Sequence, residues 1–521
     1  MGLVNSAYLG QRPWTRLQCA EFVQEIRQNL AAEQVGSQVE SFYRSLESEF
    51  APELETLATG SSQGVDLESI YARTTQIGGR PLNDSYHFGQ TMVNDFGRPY
   101  GEGNSDILGF SARGEYGRFF GYVHAEYQHA PGIPALTPDE QATLAVNDRV
   151  PVSPNTTGRS AVNYARLLDT YLGVRLGNSQ ISFGKQSLYE GPTEMGSLLY
   201  SDNVDPLYML RISQVEPKSL PGFLRFLGPL KSEFFIAKMS GHQYPARPFI
   251  HGEKVSLKPT KNLEIGFSRT TVFLGEGHGF TFGRFFQSYF SVGDTLTSNQ
   301  SSSDPGDRKG GLDISYRVPG LRNWLTVYTD SFTDDDPSPL AAPHRAPWNP
   351  GFYLSHVPGI PKLDFRAEGV FTDLLAARSF GGFFVYYNVV YKDTYLQKGY
   401  LLGNVVGRQG KAVQLQSTYW LNARSNLQFQ FREGRVNRDF IPGGGSQNTG
   451  SVQANFFAGK GYTVSSRFQY ERWNFPFLAP NPKTDVAGSL ELQYEPKFGL
   501  FRRRNSKRTA PDTGPDSLQP E

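Results

Sequence analysis

Side chains that recognise hydroxyl groups recur at every second position in several stretches of this sequence. In Asn426 to Arg432, Gln428, Gln430 and Arg432 alternate with Leu427, Phe429 and Phe431. In Tyr462 to Glu471, Thr463, Ser465, Arg467, Gln469 and Glu471 interleave with Tyr462, Val464, Phe468 and Tyr470. Amides, carboxylates and guanidinium groups address neighbouring hydroxyls through planar, often bidentate hydrogen bonds, and aromatic rings cover the apolar faces of sugars. The same wet set takes in Arg175, Glu264, Arg269, Asp313, Arg317, Asp330, Asp364, Arg366, Glu368 and Gln416, with Tyr189, Tyr200, Tyr328 and Trp420 as candidate rings. Two accounts of it stay open at this point: a carbohydrate-binding surface, or a salt-bridge lattice that stiffens an interior.

Other chemistry has little support. Of eight histidines, none stands in a His-Glu-x-x-His arrangement, so no metal and no catalytic residue is expected. Gly60-Ser61-Ser62-Gln63-Gly64 matches a nucleophile elbow in letters alone, since no strand enters it. Gly275-Glu276-Gly277-His278-Gly279 lacks the Lys-Ser/Thr of a phosphate loop, and no cofactor is expected. Asp330, Asp334, Asp335 and Asp336 form the densest acidic cluster; it has the oxygens to hold a hard cation, and a solvated loop is the simpler account. Carboxylate pairs for glycoside hydrolysis depend on a three-dimensional spacing that sequence does not give. The single cysteine, Cys19, allows no internal disulfide. With 51 basic and 50 acidic side chains the net charge is +1, which argues against nucleic acid as a partner.

These residues need elements to position them. Residues 1 to about 60 have a helical period. Thr15-Arg16-Leu17-Gln18 and Ser37-Gln38-Val39-Glu40 have capping-box spacing, and Cys19, Phe22, Val23, Ile26 and Leu30, then Phe42, Tyr43, Leu46 and Phe50, supply two apolar stripes. Two amphipathic helices are expected. From about residue 84 the period becomes 2: Phe119, Gly121, Val123, Ala125 and Tyr127 alternate with Arg118, Phe120, Tyr122, His124, Glu126 and Gln128. Roughly 16 to 20 such segments follow, separated by Gly, Pro, Asn and Asp clusters.

No run of about 20 apolar residues exists to cross a membrane as a helix. The remaining route is a closed β-barrel, for which about 24 residues per strand and connection, over some 18 strands, suits short turns at one end and long loops at the other. Segments 131–159, 275–309, 330–361 and 435–450 are the candidate long loops. Alternation alone also fits a soluble sandwich with its apolar face inward. Residues 1–80 are read as an N-terminal helical plug region and linker, 81–501 as the barrel, and 502–521 as a disordered basic, Pro-rich tail. Met1-Gly2-Leu3-Val4-Asn5-Ser6 has neither a basic start nor an apolar h-region, so an export signal is expected in codons upstream of Met1.

The stretch Gly184-Lys185-Gln186-Ser187-Leu188-Tyr189-Glu190-Gly191-Pro192, continuing through Gly196-Ser197-Leu198-Leu199-Tyr200-Ser201-Asp202-Asn203, resembles the Wzi-type capsule-assembly family of outer-membrane proteins. Arg12-Pro13-Trp14-Thr15-Arg16, Pro305-Gly306-Asp307-Arg308-Lys309-Gly310-Gly311, Gly407-Arg408-Gln409-Gly410 and Thr418-Tyr419-Trp420-Leu421 are similar in kind. Asp202 and Val204 depart from it, standing where the family's segment typically has Asn and Ala. The resemblance implies an all-β transmembrane barrel of about 18 antiparallel strands with an N-terminal periplasmic α-helical bundle. It also implies a non-enzymatic lectin that holds surface polysaccharide, capsular or exopolysaccharide, with outer-membrane lipids around a monomeric barrel. The residues expected to line the polysaccharide site in the lumen are Lys185, Tyr189, Glu190, Ser201, Asn203, Arg269, Asp313, Arg317, Asp330, Arg366, Gln428 and Arg432. A porin passing small solutes, and less favourably a soluble carbohydrate-active β-protein, are the rival readings.

Overall fold

A strand with alternating character has one face that must leave water, and a sheet escapes exposed edges only by closing on itself. In the computed structural model, which describes residues 2–30, 36–59, 63–290, 306–334, 338–375, 385–393 and 395–496, one antiparallel sheet closes in this way. Its strands are β1 (Gln63–Gly78), β2 (Gly103–Tyr116), β3 (Phe119–Ala130), β4 (Val162–Leu176), β5 (Ser179–Gln186) and β6 (Leu207–Gln214). They continue with β7 (Pro229–Lys238), β8 (Phe249–Thr260), β9 (Leu263–Phe273), β10 (Asp307–Arg317), β11 (Leu325–Asp334) and β12 (Trp348–Leu354). The circuit is completed by β13 (Leu363–Phe371), β14 (Gly410–Asn422), β15 (Ser425–Val436), β16 (Gly445–Gly459), β17 (Tyr462–Asn474) and β18 (Lys483–Tyr494). Each strand pairs with the next, and β1 pairs with both β2 and β18, which shuts the barrel at 18 strands.

The side chains point as the alternation requires. Phe429 and Phe431 are 50% and 46% exposed on the outside of β15, whereas Arg432 beside them is 7% exposed inside. Leu108, Leu172, Phe183, Phe468 and Leu490 extend the outward apolar belt, the face that a barrel presents to acyl chains. Glu264, Asp313, Asp330, Glu368, Gln469 and Glu471 are buried inside. A soluble sandwich would show the reverse orientation.

Short turns, at 117–118, 177–178, 261–262, 423–424 and 460–461, close one end of the barrel, and the long connections lie at the other. By that asymmetry the turn end is periplasmic. Against it pack α1 (Arg16–Leu30), α2 (Ser37–Glu49) and α3 (Ala51–Thr59). Three helices stand where two were expected, because the chain bends at Phe50, whose N–H still bonds the carbonyl of Leu46 at 2.9 Å. Arg16 reaches Glu49 and Glu53, both at 2.9 Å, and Arg113 on β2 also holds Glu53, so the bundle is clamped to the barrel wall.

The sheet begins at Gln63, well before the boundary at 80 read from the sequence. The cause is a bulge between Leu67 and Ser69 that switches the outward parity from Val65 and Leu67 to Ile70, Ala72 and Thr74, breaking the two-residue period. Two candidate loops also shrink: 330–361 contains the end of β11 and all of β12, and 435–450 is a loop only over 437–444. Segment 131–161 folds in part as α4 (Pro138–Asp148), started by a Thr137–Glu140 capping box, and α5 (Phe282–Phe290) lies in the loop after β9. The tail at 502–521 and the carboxylates of Asp335 and Asp336 lie outside the described residues.

Candidate functional site

The lumen toward the long-loop end is filled, not open. After β5 the chain turns inward over 187–206, the stretch that carries the Gly191-Pro192 signature. Wall carboxylates catch its backbone: Asp330 accepts the N–H of Leu198 at 2.7 Å, and Glu368 accepts those of Glu194 and Met195 at 2.9 and 2.6 Å. Asn349 donates to the carbonyl of Gly196 at 2.9 Å. With its polar groups satisfied, the segment buries Met195, Leu198, Leu199, Tyr200 and Val204 against Phe235, Ile250, Val272, Phe332, Tyr386 and Tyr395. Gly191 has φ +146°, and a Cβ there would lie 2.6 Å from the Ser197 hydroxyl, so the inward turn requires glycine.

A second strap enters from the periplasmic side. The N–H groups of Leu9 and Gly10 bond the Glu264 carboxylate at 2.9 and 2.8 Å, and Arg12 pairs with Tyr189 across a short bridge between the straps. The Arg12 guanidinium lies 4.2 Å from the centre of the Tyr189 ring and donates to the carbonyls of Gly191 and Thr193. The two straps are thereby locked to each other and to the wall.

Most of the residues expected to line one binding site serve this plug. Lys185 bonds Asp205 at 2.7 Å; Tyr189 donates to the carbonyl of Thr193; Glu190 accepts from Ser268 at 2.8 Å; Ser201 donates to Gly403 at 2.8 Å; Asn203 donates to Leu401 at 3.3 Å. Asp313 pairs with Lys254, and Arg317 holds the carbonyl of Val4 at the periplasmic end. Arg269 reaches the carbonyl of Ser288 at 3.4 Å. Arg366 donates to the Tyr328 hydroxyl at 2.8 Å, and Arg432 to the carbonyl of Gln90 at 3.2 Å. Gln428 faces the lumen between Thr418 and Gln453. The expectation of one shared cavity is therefore corrected: the set is spread from the periplasmic rim to the loops, because parity places a side chain inside without fixing its depth. The candidate rings separate likewise. Tyr189 and Tyr200 are buried in the plug, Tyr328 bonds Glu368 at 2.7 Å, and Trp420 packs on Phe42 of the helical bundle.

At the long-loop end the loops are bound into a crown. His87 sits between two carboxylates, Nδ1 2.6 Å from Asp84 and Nε2 2.8 Å from Asp148. Arg408 also pairs with Asp148, its guanidinium lying over the rings of Tyr86, Tyr387 and Phe440 at 4.7–4.8 Å. Burial alone would lower the His87 value, but the two carboxylates outweigh it and raise it to about 9. Asp148, also buried, is held well below the usual carboxylate range by His87 and Arg408.

Beside this clasp the loops carry cations. Lys392 donates to the carbonyl of Arg149 at 2.6 Å and Arg159 to that of Lys398 at 3.1 Å, so 131–161 and 385–400 lie side by side. One carboxylate, Asp205, meets Arg166 at 2.6 Å, Lys185 at 2.7 Å and Lys398 at 2.7 Å. Lys398 remains 55% exposed, and the Arg149 side chain is exposed too. Sequence reasoning missed Arg149, Arg159, Lys392 and Lys398. They stand on irregular loops about 240 positions apart, and no periodicity marks them.

A closed antiparallel barrel with an apolar belt outside and ionic rows within defines an outer-membrane β-barrel protein. The sequence model of the family described as capsule assembly protein Wzi matches residues 72–487, and the chain belongs to that family. Its fold is similar to that of Wzi from Escherichia coli, an outer membrane carbohydrate-binding β-barrel involved in group 1 capsule assembly. The TM-score is 0.66 at 17% identity, over 95% of each chain. It is also 28% identical over 173 residues to an uncharacterized 55.8 kDa protein in the cps region of Klebsiella pneumoniae; the match spans 32% of this chain and 33%, about a third, of that relative.

Proposed function

We propose that this protein binds an acidic surface polysaccharide at its extracellular loop crown and anchors it to the cell during capsule assembly, without catalysis. The observation that carries this reading is the cluster of cations around Asp205, which meets Arg166, Lys185 and Lys398; Arg166 also lies 3.6 Å from Glu126, while Lys398 still reaches solvent. A polymer bearing uronate or other acidic groups supplies the missing charge, and its hydroxyls suit the amides and hydroxyls of the loops. The E. coli protein of like fold is described as carbohydrate binding, which supports the same ligand class. The lumenal residues act here as the frame that holds the crown still, and the protein works as a monomer with its apolar belt in lipid. Conduction of solutes, the porin reading, is disfavoured by two straps bonded to the wall and to each other.

The test is binding of purified, heat-modifiable protein to an anionic capsular polysaccharide. The charge-reversed pair Arg149→Glu and Lys398→Glu should weaken binding about tenfold or more. Undiminished binding in that correctly folded variant would remove the crown as the site.

A further inference from the structure

The periplasmic half of the lumen holds a cavity of about 340 Å³, a size at the lower end of small-ligand sites. Its walls come from the N-terminal strap at Pro13 to Gln18 and from the lower, inward faces of β1–β7. Glu115, Phe120, Arg175 and Gln180, two residues from the turns at 117–118 and 177–178, bring it to the periplasmic rim. At its inner end Asp169 accepts the N–H of Ser187 at 2.6 Å, where the inward strap begins.

Its lining joins ion pairs, among them Arg113 with Glu68 at 3.3 Å, to aromatic rings. Four rings face it: Trp14, Phe120, Tyr122 and Tyr171. They are held in place, Tyr122 and Tyr171 with centres 5.8 Å apart and Trp14 by a hydrogen bond to the carbonyl of Tyr8 at 2.9 Å. Among these rings stand polar groups that the fold leaves wanting. Gln186 is 4% exposed, and its Nε2 has no hydrogen-bond partner. Arg175 and Arg211 are matched by Glu115 and Glu233. Lys231, 8% exposed, makes no close ion pair among the described residues and lies in the field of Glu233, Glu264 and Glu21. A buried amide donor without a partner is costly unless a ligand or water completes it.

We propose that this cavity is a second saccharide subsite, which takes a short acidic segment from the periplasmic side, the sugar rings against Tyr122, Tyr171 and Trp14. The ligand carboxylate meets Lys231, and a hydroxyl accepts from Gln186. Aromatic rings favour a sugar over a bare anion such as phosphate, which has no apolar face to stack. The fixed rings lower the ordering cost of binding.

This inference rests on the polysaccharide reading, and its test is separable from the test of the crown. Full-length protein in detergent, carrying Arg149→Glu and Lys398→Glu to disable the crown, is titrated with trigalacturonic acid and with neutral maltotriose by calorimetry. Trigalacturonic acid should bind one molecule per barrel and more tightly than maltotriose. Added Lys231→Met should weaken the acidic ligand at least tenfold, and Gln186→Ala severalfold, with the heat-modifiable band retained in both. Absence of binding, equal affinity for the two sugars, or affinity untouched by Lys231→Met would overturn the subsite. None of these results bears on whether the crown holds the long polymer.

Discussion

The carboxylate of Asp330, on the wall strand β11, accepts the backbone N–H of Leu198 at 2.7 Å and so fastens the barrel to the strap that fills it. Thr193 and Ser197 donate to the same side chain at 3.1 and 3.2 Å. Glu368 repeats the device at Glu194 and Met195. Loss of an acceptor leaves each buried donor unsatisfied, at about 1–3 kcal/mol apiece. The native protein is expected to be nearly silent in a planar bilayer, and Asp330→Ala with Glu368→Ala to show frequent openings.

The His87 clasp makes loop packing depend on pH. The folded value of about 9 lies above the ordinary 6.5. The contribution of His87 is thus complete below about pH 6.5 and is lost as pH rises through about 9. Asp148, shifted downward, withdraws its contribution only in acid, as pH falls below the ordinary carboxylate range. Protease nicking within 131–161 should therefore accelerate between about pH 7 and about pH 10, and His87→Leu should flatten that dependence while raising the rate at neutral pH.

Docking of the helical bundle depends on Arg16, which joins Glu49 and Glu53 while Arg113 holds Glu53 from the wall. Because Arg16 is a third exposed, its loss should cost only about 1 kcal/mol. Arg16→Ala is expected to speed proteolysis within α1 to α3 severalfold, with the barrel's heat-modifiable migration unchanged.

Binding at the crown should respond to ionic strength, since Lys398 and Arg149 reach solvent and exposed charges are screened over about 8–10 Å. Affinity for an anionic polysaccharide should fall about tenfold between roughly 50 and 200 mM salt, and the dependence should flatten in Lys398→Ala with Arg149→Ala. A salt-independent isotherm would point to neutral recognition.

What the sequence made legible follows from periodicity. Phe429 and Phe431 against Gln428 and Arg432 declare two faces, and composition with the count of segments makes the barrel the better container. The bulge at Leu67 and Ser69 hid the first strand, because one extra residue inverts the very signal being read. Depth was also hidden: Arg317 at the periplasmic rim and Lys185 near the loops have the same parity and different roles. The crown and the lower cavity unite residues such as Lys392 with Arg149, or Gln186 with Lys231, which only closure of the sheet brings together. The capsule-assembly signature at Gly184 to Asn203 marked the right stretch for a reason that spacing did not show, since it is the strap that plugs the lumen.

The most direct measurement compares surface polysaccharide on cells that carry the native protein with cells that carry Arg149→Glu and Lys398→Glu at equal amounts of inserted, heat-modifiable barrel. The account predicts that polymer held on native cells is shed into the medium by the variant, with total polymer unchanged. Equal retention by the two would contradict it.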